Sequence, residues 1–325
     1  MSRMTYLEAS REAVRAEMAR DELVWALGED LGRGGVFSQY RDLQSEFGAN
    51  RIVDTPISEA AIMGTAVGAA MMGTRPIVEM RFSDFALCAI DELVNQAAKA
   101  RYMFGGQTKV PLVAREPVGM WRASAAQHSQ SLEAWYTHIP GLVVVMPSTP
   151  ADNRGLLASA IRSDDPVVYL EHKGLWPLEG DVPEGDYTVP IGQARVASTG
   201  DDLTLISWSA TVHECVAAAA QLSTDGIHAE VIDLRTLWPW DRDTVFKSIA
   251  RTRRVMIVHE AVRVGGFGAE LAADIAETCF GKLDAPVKRM GAPRAPIAYS
   301  PPLERQVQIH ADAICAEARQ LMHHS

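Results

Sequence analysis

The sequence predicts two α/β domains, each built on a mainly parallel β-sheet. Short runs of β-branched and other apolar residues alternate with helical patterns, the order expected of parallel sheets covered on both faces by helices. At 325 residues the chain exceeds the usual size of one domain. A stretch rich in proline, glycine and acids interrupts the pattern at residues 179–200. We therefore predict an N-terminal domain over 1–185, a linker over 186–200 and a smaller C-terminal domain over 201–325.

Capping and periodicity predict the elements in chain order. Thr5 and Glu8 form a capping box for a first helix that ends near Arg20. Apolar runs then predict the strands of both domains, and longer periodic segments predict the helices between them. The predicted strands are 23–27, 76–80, 110–114, 142–146, 203–207, 229–233 and 255–258, and the predicted helices are 91–102 and 211–223.

Composition excludes several classes of function. The formal net charge is −10 and no basic stripe is present, which argues against a nucleic-acid partner. The sequence contains no run of about 18 apolar residues, so we predict no membrane span. The four cysteines are widely scattered, which indicates reduced thiols rather than disulfides or zinc ligands. We expect a cytoplasmic protein.

Residues 54–60 (DTPISEA), followed by the small residues of 64–70 (GTAVGAA), place the Glu59 carboxylate at the start of an apolar helix. The N–H groups of a helix start favour a fixed anion, and small residues behind it allow a backbone or a flat cofactor to approach. An ordinary first-turn acid without chemistry is the alternative, since such acids are common.

Ten short motifs occur along the chain in a fixed order and spacing. They resemble the beta subunit of the thiamin diphosphate-dependent 2-oxo acid dehydrogenase E1 component, the family of the pyruvate, branched-chain and acetoin enzymes. The resemblance covers almost the whole chain and implies two transketolase-like domains, of which the N-terminal one binds the cofactor's pyrimidine. The motifs are 27–30 (LGED), 54–60 (DTPISEA), 82–85 (FSDF), 127–131 (QHSQS), 139–142 (IPGL), 147–150 (PSTP), 171–173 (EHK), 233–237 (DLRTL), 265–270 (GGFGAE) and 299–304 (YSPPLE).

The chain lacks the Gly-Asp-Gly motif, followed by a distant Asn, with which thiamin diphosphate enzymes hold magnesium and diphosphate. The resemblance implies that an alpha subunit carries this motif, in an α2β2 heterotetramer. It further implies decarboxylation of a 2-oxo acid, or cleavage of acetoin, with reductive acylation of a lipoyl group on E2.

The resemblance also assigns roles to individual residues. It implies that Glu59 binds the pyrimidine N1′ atom and that Phe85 stacks on the aminopyrimidine ring. His128 would line the channel to the active centre, and Glu29, which follows the first strand, is a further cofactor-binding candidate. Core packing for Phe85 and an ordinary surface loop for His128 are the alternatives.

Two further predictions concern a loop and an ion. Residues 118–124 (VGMWRAS) depart from the small-residue loop of many relatives, so Trp121 and Arg122 either shape the substrate mouth or face solvent or a partner subunit. By resemblance, backbone carbonyls would hold a structural potassium ion. These carbonyls belong to Leu112, Ala160, Ile161, Ser163 and Asp165.

Two other functions stay open from the sequence. One is a split transketolase-like enzyme that transfers an acyl or ketol unit to a carbonyl acceptor, which the departure at 117–124 allows. The other is a non-catalytic scaffold subunit. The joint presence of Glu59, Phe85 and His128 argues against the scaffold.

Overall fold

The computed structural model describes residues 1–323, which form two compact units. The first unit comprises 1–118 and 135–191, and the second comprises 119–134 and the chain from 192 onward. The segment 119–134 therefore groups with the second unit, although the predicted division placed it in the N-terminal domain. The last two residues of the predicted C-terminal domain, His324 and Ser325, lie outside the described residues.

Strands and helices alternate through the first part of the chain. The strands are β1 (Ser2–Thr5), β2 (Val24–Gly28), β3 (Ile52–Asp54), β4 (Arg75–Glu79), β5 (Val113–Val118), β6 (Val143–Val145), β7 (Val167–His172) and β8 (Glu179–Val182). The α-helices are α1 (Tyr6–Arg20), α2 (Leu43–Phe47), α3 (Glu59–Met71), α4 (Ser83–Ala86), α5 (Ala98–Met103), α6 (Glu133–Thr137) and α7 (Pro150–Arg162).

Six strands of the first unit form a parallel sheet in the order β6-β7-β5-β4-β2-β3. Non-consecutive neighbours require crossover connections, and helices supply most of them. A separate antiparallel pair joins β1 to β8, with Ser2 opposite Val182. The carboxyl ends of the parallel strands therefore share one edge, where α/β folds place their ligands.

The predicted capping box begins α1. The Thr5 hydroxyl accepts the Glu8 N–H at 3.1 Å, and the Glu8 carboxylate accepts the Thr5 N–H at 2.9 Å. The buried face of α1 packs on α7, and both contribute to an apolar core that includes Val14, Leu156 and Tyr169.

The second unit contains a smaller sheet in the order β14-β13-β10-β11-β9, parallel except where β9 joins β11. Its strands, and β12, are β9 (Arg195–Ser198), β10 (Leu203–Ser207), β11 (Ala229–Asp233), β12 (Thr236–Trp238), β13 (Val255–Val262) and β14 (Lys288–Ala292). The later helices are α8 (Thr211–Ser223), α9 (Arg242–Thr252), α10 (Gly268–Thr278), α11 (Pro301–Val307) and α12 (Ala311–Met322). The predicted fold class, a parallel-sheet domain followed by a smaller α/β domain, is confirmed.

Some elements differ from their predicted form. The predicted helix 91–102 begins as a π-helical stretch (Glu92–Ala97) before α5. The predicted strand 110–114 lies three to four residues later, as β5. Strand β9 lies within the predicted linker, whose boundaries stay a prediction. Within residues 1–323, no helix combines the length and apolarity needed to cross a bilayer.

Candidate functional site

Glu59 is the first residue of α3 and is half-buried. Its side chain makes no hydrogen bond or ion pair with any residue in the described part of the chain. Ser58, the N-cap residue, offers no side-chain bond to the free N–H groups of the helix. In the preceding turn the buried Thr55 hydroxyl also has no hydrogen-bond partner among residues 1–323. The Glu59 carboxylate is thus left without a protein partner at the positive end of a helix.

Phe85 lies on α4, the short helix that follows β4, and is half-buried. Its ring centroid lies 5.9 Å from that of Phe82, which in turn lies 6.1 Å from that of Phe37. The Lys173 ammonium lies 4.5 Å from the centroid of Phe82. Phe85 therefore belongs to an aromatic row and keeps part of its surface accessible, as a stacking residue requires.

Glu29 follows β2 and is engaged within the protein. Its carboxylate accepts a hydrogen bond from Arg81 Nε at 2.9 Å, and the same guanidinium binds Asp30 at 2.7 Å. This arrangement gives Glu29 a structural partner, and its predicted contact with a cofactor stays a prediction.

The segment 119–134 carries His128 and is attached to its own unit by two carboxylates. Glu260 accepts the Met120 N–H at 2.8 Å and the Ser131 hydroxyl at 3.1 Å. Glu304 accepts the Ala123 N–H at 3.2 Å. These contacts hold the segment at both ends.

Trp121 and Arg122 lie within this segment as a stacked pair. The Arg122 guanidinium carbon lies 4.5 Å from the centroid of the Trp121 ring, within the range of a cation–π contact. Arg122 is exposed, and its φ of 51° lies in the left-handed region, as do those of Ala123 and Ala125. Non-glycine residues in that region cost about 1 kcal/mol or more each, so the contacts made by the segment must offset the strain.

His128 is half-buried, and its backbone N–H donates to the Ala125 carbonyl at 3.5 Å. The residues on either side of it, Gln127 and Ser129, line a cavity of about 530 Å³ in the second unit. Ala261 and Ile297 provide apolar walls of this cavity. The structure places Glu59, Phe85 and Glu29 in the first unit and His128, Trp121 and Arg122 in the second.

The backbone oxygens proposed as potassium ligands all accept hydrogen bonds from the protein. The Arg75 guanidinium donates to the carbonyls of Ile161 at 3.1 Å and Ser163 at 2.8 Å. Its positive charge disfavours a further cation at these two oxygens. The potassium site stays a prediction, and no chemistry is derived from it. The other three donors are the Val167 N–H to Leu112, the Ser163 N–H to Ala160 and the Ser163 hydroxyl to Asp165.

Glu59 and Phe85 suit the pyrimidine ring of thiamin diphosphate better than its diphosphate and magnesium. Glu59 and Phe85 match a nitrogen heterocycle, which needs a carboxylate partner and a flat apolar face. Among residues 1–323 no group of three or more His, Cys, Asp or Glu side chains could hold a metal ion.

Comparison with known proteins decides the family. The transketolase pyrimidine-binding domain matches residues 2–179, and the transketolase C-terminal domain matches residues 192–314. The beta subunit of 2-oxoisovalerate dehydrogenase from Bacillus subtilis is 44% identical over 324 residues, with 99% of each chain covered. The chain belongs to the E1 beta-subunit family.

Other relatives of this E1 beta subunit agree. The beta subunit of acetoin:2,6-dichlorophenolindophenol oxidoreductase from Cupriavidus necator is 44% identical, with 97% of this chain and 96% of the relative covered. Among solved structures, the inactive beta4 tetramer of a split-gene transketolase superposes with a TM-score of 0.82 at 21% identity, covering 99% of both chains. The structural likeness supports the fold alone. The relatives do not favour the transferase or the scaffold alternative.

Sequence reasoning missed three contributors to this region. Glu260 and Arg81 hold the segment 119–134 and Glu29, respectively, and both contacts join residues far apart in sequence. The third is Glu116, a buried acid on β5. Glu116 could have been found from the sequence, because two adjacent charged residues, Arg115 and Glu116, interrupt an otherwise apolar strand.

Proposed function

We propose that this E1 beta subunit acts with an alpha subunit in the thiamin diphosphate-dependent oxidative decarboxylation of a 2-oxo acid. The observation that carries the proposal is the half-buried Glu59 carboxylate, which lies at the start of α3 without a protein partner. Such a group is costly to bury unless a ligand completes it.

When bound, thiamin diphosphate supplies the electron sink for cleavage of the bond next to the oxo group. Glu59 would hold a proton at the pyrimidine N1′ atom of the bound cofactor. The N–H groups of the helix start favour the carboxylate form of Glu59, which can accept a hydrogen bond at this atom. General acid–base assistance of this kind contributes roughly 10²–10⁴-fold to the rate.

Phe85 orients the ring, and His128 serves the later transfer. The accessible face of Phe85 supports a flat heterocycle at low entropic cost. His128 carries an imidazole, a side chain suited to proton transfer, and we assign it to the passage of the acyl group to its acceptor. Glu29 is retained as a cofactor-binding candidate that acts through its ion pair with Arg81.

The partners follow from the groups that this chain lacks. We propose an α2β2 heterotetramer in which the alpha subunit provides most ligands for magnesium and the diphosphate. A lipoyl group on E2 is the proposed acyl acceptor. Because the relatives include bacterial beta subunits, we propose a cytoplasmic location.

The proposal is tested by mixing this chain with its candidate alpha partner, thiamin diphosphate and Mg²⁺. Decarboxylation of a 2-oxo acid is followed with an artificial electron acceptor. We expect activity in the mixture and none with either chain alone. A stable mixed tetramer that processes no 2-oxo acid, and no acetoin, would contradict the proposal.

We further propose that Trp121 and Arg122 select the substrate. The pair adds bulk and a positive charge to the segment that carries His128, and no carboxylate of residues 1–323 forms an ion pair with Arg122. Trp121→Gly is expected to raise kcat/KM for branched 2-oxo acids relative to pyruvate, and Arg122→Ala to change the ranking of substrates severalfold. The measurement compares pyruvate, 2-oxobutyrate and branched 2-oxo acids. Identical rankings in wild type and both variants would remove this role.

A further inference from the structure

Glu116 is a fully buried acid that the proposed chemistry does not use. It lies on β5 with a relative exposure of 0%. Neither of its carboxyl oxygens has a well-formed hydrogen bond within residues 1–323. An ionised carboxylate in such a place is costly, so the surroundings favour the uncharged acid.

Its neighbour on the strand shows the contrast. Successive side chains of a strand point to opposite faces of the sheet. Arg115 points to one face, where its guanidinium binds Glu171 and lies 3.5 Å from the Glu79 carboxylate. Glu116 points to the other face, so the charge of Arg115 is used elsewhere.

Two groups on this face act on Glu116. Burial raises the pKa of the Glu116 carboxyl to about 8, the nearby Tyr136 hydroxyl opposes the rise, and the charge of Asp84 adds to it. Tyr136 is itself buried and its hydroxyl has no well-formed bond among the described residues. Asp84 lies on α4, next to Phe85, and α4 packs against β5, the strand that carries Glu116.

Two further titratable residues, His172 and Lys173, lie at the end of β7 and directly after it. Strand β7 contributes His172 to the same face, since it is in register with Val118. The Lys173 ammonium lies beside the ring of Phe82, the N-cap residue of α4. Lys173 therefore lies near the start of α4, the helix that carries Asp84. A negative charge on Glu116 would add to the negative charge of Asp84.

We propose that Glu116 is a positioning residue, which as an uncharged acid beside Asp84 holds α4 and its Phe85 in the place that the pyrimidine ring requires. The inference rests on the proposed role of Phe85. Ionisation of Glu116 would place a second negative charge near Asp84, which lies on the single short turn of α4.

The test measures thiamin diphosphate binding to the alpha–beta complex by calorimetry between pH 6.5 and 9.5. If binding requires neutral Glu116, the Kd of wild type rises about tenfold for each pH unit above about 8, and Glu116→Gln removes this rise. Glu133→Gln is the matched control, since Glu133 is also buried and its Oε1, which accepts from Trp208, is kept. The control should follow wild type. An equal alkaline rise in Glu116→Gln would overturn the proposal.

Two readouts do not depend on cofactor. The infrared band of a protonated carboxyl should be present at pH 7 in wild type, be lost through pH 8 and be missing in Glu116→Gln. Amide exchange at 83–86, corrected for its intrinsic rate, should be faster above pH 8 in wild type than in the variant. Absence of the band at pH 7, or equal exchange, overturns the inference even where no cofactor binds and the proposed function itself fails.

A second variant covers a failure of Glu116→Gln to fold. Tyr136→Phe removes the hydroxyl that opposes the raised pKa of Glu116. The loss of the infrared band and the rise in Kd should both shift to higher pH in this variant. If neither the infrared titration nor the pH dependence of Kd shifts in Tyr136→Phe, the proposed interaction between Tyr136 and Glu116 is contradicted.

Discussion

His259 shows how a single residue can constrain its surroundings. It is fully buried on β13, and its ring stacks on Trp208 with centroids 5.2 Å apart and planes at 13°. A Cβ atom added at Gly266, Gly268 or Gly291 would lie 2.7–2.8 Å from its ring. The three glycines therefore leave the room that the imidazole occupies. Burial lowers the pKa of His259 to about 4, with the Ala261 backbone opposing the shift.

This lowered pKa predicts acid sensitivity. The unfolded chain binds a proton at His259 near pH 6.5 and the folded chain only near pH 4, so the contribution to stability is complete above pH 6.5 and is lost as pH falls toward 4. Between pH 7 and 4.5 the loss should be about 2 to 3 kcal/mol. Urea unfolding of wild type and His259→Gln checks it. Equal losses in both proteins over this range would show that His259 is not responsible.

At the scale of elements, local signals predicted much of the fold. Strand β10, helix α8 and strand β11 have the predicted bounds, because each is a strongly patterned run between turn residues. The pairing of β1 with β8 was not predictable from local patterns, since it joins segments about 175 residues apart. The π-helical start of the predicted helix 91–102 also has no local signal, as its residues suit an α-helix equally well.

The connection before β6 depends on a close approach at one glycine. Gly141 has a φ of +101°, and a Cβ there would lie 2.0 Å from the carbonyl oxygen of Ala98, at the start of α5. Gly185 has a similar φ of +77° but open space around it. Gly185→Ala should therefore cost about 1 kcal/mol, from backbone strain alone.

Gly141→Ala should cost about 3 to 5 kcal/mol, because the backbone must also move. Chemical unfolding of both variants measures the difference. A similar cost for the two would mean that the Ala98 contact relaxes freely and is unimportant for the fold.

At the scale of the whole molecule, the sequence located the candidate residues but could not give their surroundings. The helix start at Glu59 and the strand-to-helix turn at Phe85 are local features, and the structure has both. The Arg81 partner of Glu29 and the acid cluster around Glu116 arise from contacts between distant segments. Such contacts depend on the register of the sheet, which no single motif specifies.

The proposed function depends above all on Glu59, which we propose moves a proton at the pyrimidine of thiamin diphosphate. The most direct measurement is the rate at which the cofactor's thiazolium C2 proton exchanges with deuterium in the alpha–beta complex. Glu59→Gln should slow this exchange at least about 100-fold with little change in cofactor Kd. Glu270→Gln, which alters another first-turn helix acid, should leave the rate unchanged. An exchange rate in Glu59→Gln within a few-fold of wild type would contradict this role of Glu59.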